Sequence, residues 1–247
     1  PLPSSGPLRA FIGQADPEDP SLLLLTGGEA RHACKVARLK PGGMALVLAD
    51  GKSHECSVIE ISPTQARLRI ESTMPHREES GPRIILAQGI AKGKAMDDIV
   101  RITSELGATE IIPLLTDRVE GVGADKSIPN RVERWRSIAA SAAKVSGGPT
   151  PCVIHPPMTL AHLPEVEADL KVAFWEEESA TMKSILRDVS DISSVLIVIG
   201  PEGGFSGEEA ASLRAMGIRT ASLGARILRA RTAGAAAILA LQYHFSE

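Results

Sequence analysis

The chain has 247 residues, 43% of them hydrophobic and 23% charged, with a formal net charge of −3, as in a normal soluble protein of one large or two ordinary domains. Cys34, Cys56 and Cys152 form no C-x-x-C pair and the six histidines are scattered, which indicates neither a disulfide framework nor a zinc site. No apolar run approaches a membrane span and "PLPSSGPLRAFIG" lacks a signal peptide's apolar core, so a cytoplasmic protein with reduced thiols is expected.

Up to about residue 75 the pattern is β-rich with one helix. Thr26 and Glu29 have capping-box spacing and open a helix in which Ala30, Ala33, Cys34 and Ala37 form an apolar stripe. Arg31, Lys35 and Arg38 fall at i, i+4 and i+7, on the opposite face. Asp50-Gly51 separates two strand-like runs in "MALVLADGKSHECSVIEI", a strong hairpin signal, and "ARLRIES" adds another strand. A small barrel or closed sheet carrying one basic helix is predicted. "TMPHREESGP" then has the polar, Pro-bounded composition of a linker.

From Arg83 onward strands and helices alternate, which implies a parallel sheet covered by helices on both faces. "RIILAQGI", "EIIPLL", "LKVAFW", "SSVLIV" and a short run around "TASLG" read as strands. "KAMDDIVRITSELG", with Met96, Ile99, Val100, Thr103 and Leu106 inward, "SIPNRVERWRSIAASAAKVSGG", "TMKSILRDV" and an Ala-rich terminal segment read as helices.

"IGPEGGFSGEE" (199–209) follows the most apolar of these strands, and its Ser206 and Glu209 form a capping box for a helix over about Gly207–Met216. Ligands bind at the carboxyl edge of such sheets, and a Gly pair lets backbone N–H groups approach one; a tight turn without a ligand is the plain alternative. "GIAKGKA" (89–95) resembles a phosphate loop, but has three residues between its glycines instead of four and Ala95 where a Mg²⁺-binding hydroxyl belongs. With no G-x-G-x-x-G after the first strand and no G-x-S-x-G elbow, nucleotide hydrolysis, hydride transfer and serine hydrolysis are all disfavoured. Charge is segregated: Ala210–Ser246 holds five Arg and no acid, and Arg31–Lys40 holds four basic residues and no acid. Such runs suit an anionic partner, or are simply solvated faces.

"IGPEGGFSGEE", "LGARILRARTA" and "KAMDDIVRITSELGATEIIPLLTDR", in their order and positions, closely resemble the RsmE family of ribosomal RNA methyltransferases, of the SPOUT superfamily. "LRAFIG" and "EARHACKVARLKPGG" resemble that family's PUA-like domain, so the likeness covers nearly the whole chain. The resemblance implies an α/β fold: a PUA-like RNA-binding β-barrel domain over 1–75 and a SPOUT methyltransferase domain over 76–247, with a trefoil knot at about 196–242. It implies S-adenosylmethionine-dependent methylation of N3 of a uridine in 16S ribosomal RNA, without a metal, by a homodimer. A non-catalytic RNA-binding protein, or a SPOUT enzyme for another RNA site, remains the alternative.

By the same resemblance Leu115, Thr116, Gly200, Pro201, Gly203, Gly204, Leu223, Gly224, Ile227 and Leu228 would hold the cofactor. Uridine N3 is protonated and a poor nucleophile, so catalysis needs proton removal or a cation beside the developing anion. Arg118 and Arg229 stand at the family's motif positions for that edge, and Glu202 is the nearest motif carboxylate; a surface ion pair for each Arg and a loop-bracing hydrogen bond for Glu202 are the structural alternatives. Arg9, Arg31, Lys35 and Arg38 would grip the RNA backbone. The chain departs from the family's usual pattern at Arg231, where a Glu is common, at Ala225, where a Pro is common, and at Ser146–Gly148, where a polar side chain and an Arg are missing.

Overall fold

The computed structural model describes residues 8–74, 81–116, 127–148 and 150–245. They divide into two compact units, one drawn from 1–78 and 143–150, the other from 79–142 and 151–247. Among the described residues no helix is long and apolar enough to cross a membrane.

In the first unit β1 (Ala10–Ile12), β2 (Gln14–Ala15), β3 (Leu22–Thr26), β4 (Met44–Ala49), β5 (Lys52–Ile61) and β6 (Gln65–Met74) form one curled sheet in the order β1-β4-β5-β6-β3-β2. Only β1 and β4 run parallel. The predicted hairpin is present, with Ala49 opposite Lys52. Phe11, Leu23, Leu25, Val47, Cys56, Val58 and Leu68 close the core. Burial pushes the Cys56 thiol up to about 12, with Glu71 adding to the shift, so this cysteine is a small core hydrophobe.

The basic helix differs from its prediction. α1 covers only Gly27–Arg31 and passes directly into a π-turn, His32–Val36. Thr26 makes no side-chain capping bond. Glu29 is engaged elsewhere: its carboxylate accepts the Ile12 N–H at 3.0 Å and pairs with the Lys144 ammonium. The wider π-turn breaks the 3.6-residue period, and Arg38 lies beyond it in the left-handed region at φ 53°. Arg31, Lys35 and Arg38 are all exposed, yet they do not form the single α-helical stripe that their spacing implied.

The second unit contains β7 (Arg83–Gly89), α2 (Ala95–Glu105), β8 (Glu110–Leu115), most of α3 (Ile128–Ser146), β9 (Val153–Ile154), β10 (Met158–Thr159), β11 (Leu170–Phe174), α4 (Met182–Leu186), β12 (Ser194–Ile199), α5 (Gly207–Ala215), β13 (Arg219–Ala221) and α6 (Ala230–Phe245). The strands are all parallel, in the order β10-β8-β7-β12-β11-β13, with β9 also on β8.

Alternation along each buried strand feeds two apolar layers. Ile84 and Leu86 of β7 and Val195, Ile197 and Ile199 of β12 face one layer, which includes Met96, Ile99 and Val100 of α2, Trp135 of α3 and Ala237, Ile238 and Leu241 of α6. Ile85, Ala87, Leu196 and Val198 face the other, with Phe205 and Leu213. This is the arrangement predicted for strands buried on both sides. α5 is closed by both bonds of the Ser206/Glu209 capping box. β9, β10 and the 3₁₀ turn Leu160–Glu165 were not foreseen; each strand is only two residues long. The segment expected to carry the knot holds the central strand β12, the edge strand β13 and the helix α6, which returns to pack on α2, β7 and β12.

Candidate cofactor and nucleic-acid site

Parallel register brings the strand ends to one edge. Ile199 lies opposite both Gln88 and Phe174, and Gly89 lies opposite Leu114. The segments leaving β7, β8, β11 and β12 therefore start side by side, and the loop Gly200–Gly204 emerges among them, where a ligand of an open α/β sheet binds.

Close packing fixes this loop. A Cβ on Gly89 would stand 2.4 Å from the Pro201 nitrogen, and one on Gly200 would stand 2.9 Å from the Gly204 carbonyl carbon, so only glycine fits at either place. Gly204 N–H donates to Pro201 O at 2.9 Å and closes a turn. On one side of it, Glu202 Oε1 accepts the Lys92 N–H at 2.8 Å. On the other, the Glu176 carboxylate, from the segment after β11, lies against Gly204. Beneath it, the fully buried Gln88 donates from Nε2 to Gly89 O and Gly200 O, each at 3.1 Å.

Gly200 and Pro201 are buried, Glu202 and Gly203 exposed, and Gly204 half-buried. Leu115, Leu223 and Leu228 pack against the same apolar layer, whereas Gly224 and Ile227 are exposed, Ile227 at 82%. Thr116, just past β8, is buried, and its Oγ1 has no hydrogen-bond partner. Arg229 is exposed at the start of α6, and its carbonyl accepts the N–H groups of Thr232 and Ala233. Arg118 lies outside the described residues. In the first unit Arg9 is exposed, and its guanidinium donates to Val36 O at 3.5 Å.

Gln88 and Glu176 were not singled out in the sequence. Gln88 carried a signal, as the one polar side chain after Arg83 in "RIILAQGI". Glu176 carried less, because three consecutive acids read as a solvated run. A cavity of about 430 Å³, lined by residues including Glu178, Arg214 and Thr220, touches none of the predicted site residues.

Residues 78–242 match the model of the RNA methyltransferase domain family, and residues 25–71 match that of the RNA methyltransferase PUA domain. The chain belongs to the RNA methyltransferase family. Among relatives of this methyltransferase, ribosomal RNA small subunit methyltransferase E of Aquifex aeolicus is 30% identical over 86% of this chain and 90% of its own. The Bacillus subtilis protein of the same name is 29% identical over 92% and 91%. A Legionella pneumophila methyltransferase solved with bound S-adenosylmethionine superposes with a TM-score of 0.84, at 30% identity over 96% of this chain and 97% of that one. The Neisseria gonorrhoeae small subunit methyltransferase E, also bound to S-adenosylmethionine, gives 0.79 at 25% identity over the same shares. The α/β methyltransferase fold with a PUA-like first domain, which the resemblance implied, agrees with these likenesses.

Proposed function

We propose that this RNA methyltransferase transfers the methyl group of S-adenosylmethionine to N3 of a uridine in 16S ribosomal RNA. The observation that carries this reading is the packed Gly200–Gly204 loop at the carboxyl edge of the parallel sheet, inside the stretch that matches the methyltransferase family. The residues fit such a cofactor. Thr116 offers a buried hydroxyl without a partner, and Leu115, Leu223 and Leu228 offer an apolar floor. When bound, S-adenosylmethionine supplies an electrophilic methyl on a sulfonium.

The protein's work is positioning and charge management. Arg229 would face the uridine anion as N3 loses its proton, beside the positive end of α6, and Arg118 would share that task. Arg9, Arg31, Lys35 and Arg38 would hold phosphates, which add affinity without reading sequence. The two relatives named above, each a ribosomal RNA small subunit methyltransferase E, support the choice of RNA. A homodimer is part of the reading: Leu239 and Tyr243, one turn apart on α6, are 51% and 88% exposed, an apolar pair suited to a second copy.

The deciding experiment joins cofactor-dependent thermal stabilisation to single-turnover methylation of small ribosomal subunits. Cofactor at a hundred times its Kd should add about 2.7 kcal/mol to folding. Arg229→Ala should slow methyl transfer at saturating RNA and leave cofactor affinity within about twofold, because its contact forms mainly in the transition state. A wild-type protein that gains no stability from the cofactor and methylates no uridine would overturn the assignment. A monomer that resists concentration in sedimentation would remove the dimer from it.

A further inference from the structure

"GIAKGKA" remains without a role once the nucleotide phosphate loop is rejected. In the fold it is the turn from β7 into α2, at the edge where the cofactor loop emerges. Lys92, Gly93 and Lys94 are all exposed. Gly93 sits at φ 56°, and a Cβ built there would meet nothing within 4 Å, so the outer side of the turn is open. Its inner side is fixed by three hydrogen bonds. Ala95 N–H donates to Lys92 O at 3.1 Å, Arg131 donates to Ala91 O at 3.4 Å, and Lys92 N–H donates to Glu202 at 2.8 Å.

The acids that follow do not neutralise the turn. Asp97 pairs with Arg134 at 2.5 Å, and Asp98 pairs with Arg231 at 2.9 Å. Among the described residues Lys94 has no ion-pair partner. Among the described residues, the turn and the side chains linked to it hold Lys92, Lys94, Arg131, Arg134 and Arg231 beside Asp97, Asp98 and Glu202.

We propose that Lys92 and Lys94 form a phosphate-binding contact for the RNA substrate, and that Glu202 is a positioning residue that keeps their turn in register with the cofactor loop. This rests on the RNA methyltransferase reading above. Two lysines on an open turn are compact point charges without a bidentate fork, which suits phosphate rather than a base edge. The Glu202 carboxylate, committed to a backbone amide of that turn, ties the phosphate contact to the Gly200–Gly204 loop, so RNA seated on the lysines would also steady that loop.

The test uses the full chain, an rRNA fragment containing the target uridine, and the cofactor product S-adenosylhomocysteine. Changing both Lys92 and Lys94 to Ala should flatten the salt dependence of RNA binding by about 1.4 in log–log slope, about 0.7 per single-strand phosphate contact. Melting temperature and calorimetric product affinity should stay at wild-type values, and Lys94→Glu alone should weaken RNA binding further than Lys94→Ala. Glu202→Ala should lower RNA affinity and single-turnover rate together. Glu202→Gln, which keeps an oxygen for the Lys92 amide, should restore that RNA affinity and show the wild-type pH profile. An unchanged salt slope in the double lysine variant would overturn the contact. A Glu202→Gln variant that loses one limb of the pH profile would make Glu202 a proton acceptor and overturn its positioning role. Wild-type protein without cofactor binding or methyl transfer would instead sink the underlying function, while the salt slopes still report on the lysines.

Discussion

Gln88 holds Gly200 from below: its side-chain amide, fully buried in β7, bonds the Gly200 carbonyl and its own neighbour's carbonyl at Gly89, each at 3.1 Å. A buried donor with two acceptors sets the height at which the Gly200–Gly204 loop leaves the sheet. Gln88→Leu removes both bonds and leaves two carbonyls unpaired, which should cost about 1–3 kcal/mol for each group left unsatisfied. Product affinity should fall at least tenfold. Gln88→Glu should be worse than Gln88→Leu, since it turns a carboxylate oxygen toward two carbonyls. Calorimetry beside thermal unfolding checks the order, and equal affinity in all three proteins would refute the clamp.

A Cβ added at Gly204 would stand 2.4 Å from Glu176 Oε1, the movable end of a side chain, and the backbone there is left-handed at φ 65°. Gly204→Ala therefore costs about 1–2 kcal/mol of backbone strain, plus a smaller contact part as the Glu176 carboxylate shifts aside. Glu176→Ser should recover the contact part alone. The double variant should then be more stable than Gly204→Ala by about 0.5–3 kcal/mol of coupling, yet less stable than Glu176→Ser. Strict additivity would mean that the two residues do not touch.

Arg231, where a Glu is usual in the family, reaches Asp98 on α2 at 2.9 Å, and the two side chains are 52% and 39% exposed. Exposed pairs contribute about 0–1 kcal/mol. Arg231→Ala should thus lower stability by less than about 1 kcal/mol. Arg231→Glu, which sets like charges together, should lower it further, and thermal melts at low salt will separate the two. A large loss in Arg231→Ala would give the pair a weight that its exposure does not support.

Acid unfolding should involve Asp16 and Asp169. The Glu18 backbone N–H and the Arg67 guanidinium hold the Asp16 carboxyl below its usual 3.8, and the N–H of Ser193 with the hydroxyl and N–H of Ser194 does the same for Asp169. Lowered native values mean that the unfolded chain takes up protons first as pH falls. Stability is therefore complete above about pH 5 and is lost progressively as pH drops through 3.8 toward the lower native values. Asp169→Asn should be less stable near neutrality and show a shallower acid limb. A variant whose melting temperature tracks the wild type at every pH would show that the capping bonds at the start of β12 contribute nothing.

The sheet was readable because its signals are local: β12 is apolar throughout and buried throughout, and Ser206 with Glu209 closes α5 as their spacing implies. The same spacing misled at Thr26 and Glu29, because Glu29 found Ile12 and Lys144, partners that no local pattern names. Arg31, Lys35 and Arg38 were read on a 3.6-residue period that the π-turn interrupts. At the edge of the sheet the glycines were legible as a loop. Its supports, Gln88, Lys92 and Glu176, come from strand neighbours far away in sequence, and only the pairing of β7, β12 and β11 brings them together.

That pairing also dictates an order of assembly. β8 and β7 can meet early, and β11 and β13 belong together on the other side, but β12 alone joins the two halves. Residues Arg83–Gln88 must wait for Ser194–Ile199, so during synthesis an apolar strand edge stays open while the ribosome translates everything between. At about 5–20 residues per second that interval lasts several seconds. A chain stalled before Ser194 would carry a sticky β7 edge with no partner of its own. Slow codons placed ahead of β12 should therefore reduce the soluble yield of this methyltransferase more than the same codons placed after β13.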